Sequence, residues 1–210
     1  SRWLLTRGSQ YSIASLIKTV AVVALMPLAT RVLVPAEMGA ASTALVVANL
    51  LVAFAALGLH SAAMRAYYGG AGDQADPDLA RTLSWVAIAV AGVAALALHL
   101  AGPAWVGLFG ELRYDGALQL AVAATVPMTL LVVGQNLLRA EDRAMPYVVA
   151  AVLSTVGGQL LGVTLAWAGS GTATEYLTGI VIGYLVGGTV SMVAANRRGR
   201  RLRRGELGAA

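Results

Sequence analysis

The stretch IKTVAVVALMPLATR, from Ile17 to Arg31, sets an unbroken apolar run between a lysine and an arginine, with Pro27 inside it. A water-soluble helix needs one polar face, and this run offers none, so its solvent reads as hydrocarbon. The rest of the 210-residue chain has the same character: 58% of residues are hydrophobic and 12% charged, with a mean hydropathy of +0.74. Soluble domains carry a charged fraction of about 25%. Read outward from Ile17, the sequence holds six apolar segments of membrane-crossing length, at 11–34, 39–66, 81–102, 116–138, 146–168 and 174–195. Strands of a β-barrel would be ~10 residues long with alternating polarity, so helices are the expectation. The predicted fold class is an all-α membrane protein, a bundle of six transmembrane helices over 11–196. An interfacial amphipathic segment at 1–10 precedes it and a basic tail at 197–210 follows.

Turn chemistry falls between the segments. VPAEMG, with Pro35 and Gly39, GGAGDQADPD, LFGELRYDG, AEDRAMP and GSGTAT read as connections. Pro146 fits the first turn of the fifth helix, whereas Pro27 and Pro127 predict kinks or breaks. SRWLLTRGSQ is too polar to serve as a signal-peptide core.

Placing the amino terminus in the cytoplasm puts twelve of the fifteen Lys/Arg residues on that side: Arg2, Arg7, Arg65, Arg81, Arg139, Arg143 and six tail arginines. Arg31 and Arg113 fall outside and Lys18 within a span. This asymmetry predicts two cytoplasmic termini. It also makes the basic tail a contact for anionic membrane lipids, not for nucleic acid.

Lys18 sits ~10 Å into the first span at ~1.5 Å per residue. Facing lipid it would cost about 2.5–3.5 kcal/mol, so it either snorkels to the headgroups or faces a hydrated cavity that accepts an anion. Its companions Tyr11, Ser15 and Val22 share that face. Arg31 reads as a helix-end cation paired with Glu37. In the second span Ser42, Asn49, Ala53, Ala56 and His60 share a face that should meet protein or water. Asn49 and His60 are therefore candidate contacts for cargo, with an interhelical hydrogen bond as the plainer role of His60. Thr125, Thr129, Asn136, Arg139 and Arg143 form a second stripe. Gly158 and Gly162, and the longer series Gly179, Gly183, Gly187 and Ser191, place small residues four apart, which lets helices approach closely.

The sequence has no cysteine and two histidines, and its acidic residues read as loop or helix-end positions. No paired acid and base, nucleophile or metal-ligand set is apparent, so catalytic residues, metals and cofactors are all expected to be absent. An exporter of cationic small molecules would call for acidic groups in the spans, and an intramembrane enzyme for a catalytic set. A structural subunit of a glycan-assembly complex, associating through the glycine series, stays open.

Three stretches carry a family resemblance. PLATRVLVPAEMGAAS, with Arg31, Leu33, Pro35, Glu37 and Gly39, resembles the end of the first helix in polysaccharide-type flippases of the multidrug/oligosaccharidyl-lipid/polysaccharide exporter superfamily. LGLHSAAMRAYYG, with Leu57, Gly58, Leu59, Arg65 and Tyr67, is similar to the end of their second helix. NLLRAEDRAMPYVVAAV, with Arg139, Arg143 and Tyr147, is similar to their fourth-to-fifth connection. The resemblance implies two six-helix lobes around a cavity in the cytoplasmic membrane and a polyprenyl-pyrophosphate-linked oligosaccharide as cargo. It makes Lys18 a cavity cation and Arg65 and Arg139 entrance cations. The sequence accounts for the amino-terminal lobe, so a second six-helix lobe, in the same longer chain or in another copy, is an expected partner.

Overall fold

The computed structural model describes residues 16, 19–20, 22–56, 58–69, 75–107 and 113–207, with side chains at 55–56 and from 197 onward excluded. The described residues are helices joined by short connections. They are α1 (Val22–Val32), α2 (Pro35–Ala56), α3 (Leu59–Tyr68), α4 (Pro77–Leu100), the short α5 (Gly102–Val106), α6 (Gly116–Ala140), α7 (Ala144–Val152), α8 (Gly158–Ala168) and α9 (Ala173–Leu207). A π-helical turn, Leu153–Gly157, joins α7 to α8 without interrupting the helix. Among the described residues, five helical stretches are long and apolar enough to cross a bilayer: Pro35–Phe54, Pro77–Leu100, Gly116–Ala140, Ala144–Ala168 and Ala173–Asn196. The chain is thus a multi-pass membrane protein. Of the first expected span only the shorter α1 is described; the interfacial segment 1–10, Tyr11, Ser15 and Lys18 lie outside the described residues.

Several boundaries differ from the sequence reading. Pro35 opens α2, leaving only Leu33 and Val34 as the break, and Gly39 lies inside the helix. A proline lacks an amide hydrogen, and a first helical turn does not need one. The second span is not one helix: Gly58 has φ 73°, left-handed geometry that glycine adopts cheaply, and it separates α2 from α3. Pro127 does not break α6, which runs through it. The last helix continues to Leu207, so the start of the basic tail is helical.

The bundle has two ends, fixed by contacts between remote residues. At one, Glu37 Oε2 accepts a hydrogen bond of 2.6 Å from the Ala173 amide, and Gly116 abuts Thr174. Glu175 also bonds the Ser170 and Thr172 amides, and its own amide bonds Thr172 Oγ1, closing a capping box at the start of α9. Glu37 was expected to pair with Arg31. Among the described residues no such ion pair occurs, because the carboxylate serves the otherwise orphan α9 amide. At the other end Arg81 meets Glu141, and Arg143 meets Ala194.

Two buried clusters fill the interior. Ala41, Ala44 and Ala48 of α2 pack with Ala121 and Ala124 of α6 and Ile180 of α9 in one, and Ala87, Leu137, Leu138, Tyr147, Met192 and Ala195 form the other. Small residues at these crossings bring the backbones close, which in a bilayer is the source of attraction between helices. α6 is the central helix, and its Thr125 and Thr129 are 0% and 1% exposed. The polar stripe read there faces protein for these two residues, and Thr129 Oγ1 donates to the Thr125 carbonyl at 2.7 Å.

Candidate functional site

The charged side chains converge where α4 begins, α6 ends and α7 starts. The α6–α7 turn is tight: Asp142 has φ 54°, and Arg143 donates its amide to the Leu138 carbonyl at 2.8 Å. That turn points Glu141 inward, with its side chain 2% exposed. Glu141 Oε1 accepts from Arg81 Nη2 at 2.8 Å, and Oε2 lies 3.7 Å from Arg143 Nη1. Arg143 Nη1 also donates to the backbone carbonyl of Ala194 in α9. Arg81 reaches outward as well, to Asp78 Oδ1 at 3.3 Å, where Asp78 is exposed. Breaking a buried pair of this kind by removing one partner costs about 3–5 kcal/mol, because a desolvated charge is left behind.

Arg139, one turn back on α6, is exposed and takes a different partner. Its Nη2 donates to the Tyr147 hydroxyl, and its guanidinium carbon stands 4.8 Å from the centre of that ring. Tyr147 is 2% exposed and fixed in the core, and among the described residues the remaining Arg139 guanidinium donors have no hydrogen-bond partner. Hydrogen bonding and cation–π attraction act together here. The sequence reading missed Glu141: the Asp142 and Arg143 that follow it in AEDR are charged, and its burial depends on Arg81, sixty residues earlier.

The other sequence-predicted residues are spread out. Asn49 is exposed on α2 and its Nδ2 bonds the Leu45 carbonyl at 2.7 Å; Ser42 likewise bonds Met38 at 2.8 Å. Such back-bonding satisfies a polar group without an interhelical partner. His60 lies half-buried on α3, and among the described residues its buried Nδ1 has no hydrogen-bond partner. Arg65 is exposed toward the end of the same short helix. His99, near the end of α4, is exposed and its Nδ1 is 2.8 Å from the Tyr114 hydroxyl.

The two glycine series meet each other. A Cβ at Gly179 would collide with the Gly162 backbone and one at Gly183 with Gly158. One at Gly187 would stand 2.6 Å from the Ala150 carbonyl oxygen and 2.7 Å from Ser154 Cβ. α9 and α8 therefore run antiparallel in backbone contact, with the π-helical turn at the Gly187 end of the crossing. No group of three or more His, Cys, Asp or Glu residues suited to a metal occurs among the described residues.

The fold and its charged end define a multi-pass helical membrane protein. The chain belongs to the polysaccharide biosynthesis protein family, whose model matches residues 28–201. No curated protein and no solved structure gave a significant match.

Proposed function

We propose that this chain is the amino-terminal lobe of a flippase that moves a polyprenyl-pyrophosphate-linked oligosaccharide across the cytoplasmic membrane. The arginine-rich end would face the cytoplasm and the Glu37 end the outside. The carrying observation is the family match across residues 28–201 of a chain made almost wholly of membrane helices. A protein of polysaccharide biosynthesis with this build is suited to moving a glycan carrier, not to altering it. The reading needs cations accessible to a diphosphate, and Arg65 and Arg139 are exposed at the end where such cargo would enter. It adds Lys18 by resemblance and needs a second six-helix lobe for alternating access.

The scaffold reading loses its main support, since the Gly179, Gly183 and Gly187 ridge is consumed by α7, α8 and the turn between them within the same chain. The test is transfer of a fluorescent polyprenyl-diphosphate glycan across proteoliposomes by the full-length transporter. Transfer above empty vesicles, abolished by combined Lys18→Ala, Arg65→Ala and Arg139→Ala changes in folded protein, supports the reading. Transfer unaffected by that triple variant overturns the assignment of these cations.

A further inference from the structure

We infer that Arg81, Glu141 and Arg143 form a static tie that makes the arginine-rich end of the bundle one rigid body, with Glu141 as its positioning residue. One carboxylate, 2% exposed, faces two guanidiniums whose side chains are 16% and 27% exposed. Through them it joins the first turns of α4 to the α6–α7 turn and, by the Arg143 bond to Ala194, to α9. Leu138, Tyr147 and Ala195, at 0%, 2% and 0% exposure, pack in the core at the same end. Opening the tie would take both guanidiniums away from a carboxylate that is 2% exposed, so its cheapest state is closed throughout the working cycle. The tie also divides the arginines: Arg81 and Arg143 both pair with Glu141, while Arg139 pairs with Tyr147 and has no further hydrogen-bond partner among the described residues. A gate between lobes would draw its partners from two lobes, whereas Arg81, Glu141, Arg143 and Ala194 belong to one.

These 210 residues contain no cysteine, so the tie can be replaced covalently by a thiol pair in the full-length transporter, with any cysteine elsewhere in it changed to serine. Arg81→Cys combined with Glu141→Cys should lower the apparent Tm in detergent by several degrees and reduce glycan export per membrane-inserted protein. Bridging the two thiols with a short bifunctional methanethiosulfonate should restore both, and a reductant should undo the rescue. Restored Tm with export below that of the unbridged variant would overturn the inference, because it would show that the tie must open. Rescue of neither would overturn the pairing itself. If the double cysteine variant does not fold, the swap of Arg81→Glu with Glu141→Arg decides instead: it should have a higher Tm than either single reversal, and equality would overturn the pairing. The export arm rests on the proposed flippase function. Failure of that function appears separately, as wild-type protein that exports nothing, and the Tm arm then decides the tie alone.

Discussion

The Glu37 carboxylate accepts a hydrogen bond of 2.6 Å from the backbone amide of Ala173, 136 residues later in the chain. It ties the start of α2 to the start of α9 and gives a helix-opening amide a charged acceptor. Glu37→Ala should lower stability by about 1–2 kcal/mol, in the range of lost helix caps and charge-assisted hydrogen bonds. Glu37→Gln keeps an acceptor and should lose less. Thermal unfolding of the purified protein in one detergent, with both variants compared, checks the order.

The α8–α9 crossing predicts a sharper contrast. Gly183→Leu has no room, since even a Cβ would collide with Gly158, and the overpacking cost should exceed ~3 kcal/mol. Val181, two residues earlier, is partly buried against the core and does not serve as an exposed control. Leu185 is 51% exposed, and Leu185→Ala should be tolerated. Size-exclusion profiles of both variants measure this; equal loss of monodisperse protein would contradict the close crossing.

The glycine crossing was legible because residues four apart share a helix face whatever surrounds them. The membrane class was legible because composition reports the solvent. The α2–α3 break was not, since Gly58 stands among apolar residues and no turn-forming neighbour marks the φ of 73° that separates the two helices. Glu141 was hidden for a related reason: a carboxylate in a charged turn reads as solvated until its partner from α4 is placed beside it. Thr125 and Thr129 show the limit of stripes, because periodicity groups residues on one face but does not say whether cargo or another helix meets that face.

Orientation rests on the arginine asymmetry. Single cysteines at Asp76 and Asp142, near the arginine-rich end, should be protected from a membrane-impermeant maleimide applied outside intact cells. Cysteines at Arg113 and Ser170, near the other end, should be labelled. The opposite pattern would invert the assignment of the two ends.

Lys18 should act by charge if it meets an anionic cargo. Lys18→Arg should then retain most export and Lys18→Ala should lose it severalfold, at equal membrane abundance. A lysine that only snorkels to the headgroups would leave export by the alanine variant at the wild-type level. Export normalised to inserted protein separates the two outcomes.

Arg139 and Arg143 lie four residues apart, yet their partners assign them opposite phenotypes. Arg143→Gln removes a cation from the Glu141 cluster and its bond to Ala194, so it should destabilise the protein by about 3 kcal/mol. The fraction that remains folded should export normally. Arg139→Gln removes an exposed cation and its contacts with the buried Tyr147 hydroxyl and ring, which should cost about 1 kcal/mol or less. If Arg139 receives the cargo's diphosphate, export per folded molecule should nevertheless fall severalfold. Tyr147→Phe refines the comparison, because it keeps the ring beneath the guanidinium and removes only the hydroxyl. It should fall between wild type and Arg139→Gln in export while staying near wild type in Tm. Measuring Tm and normalised export on all three variants checks the assignment. Wild-type export from Arg139→Gln, or lost export per folded molecule in Arg143→Gln, would mean that burial had sorted these two cations the wrong way round.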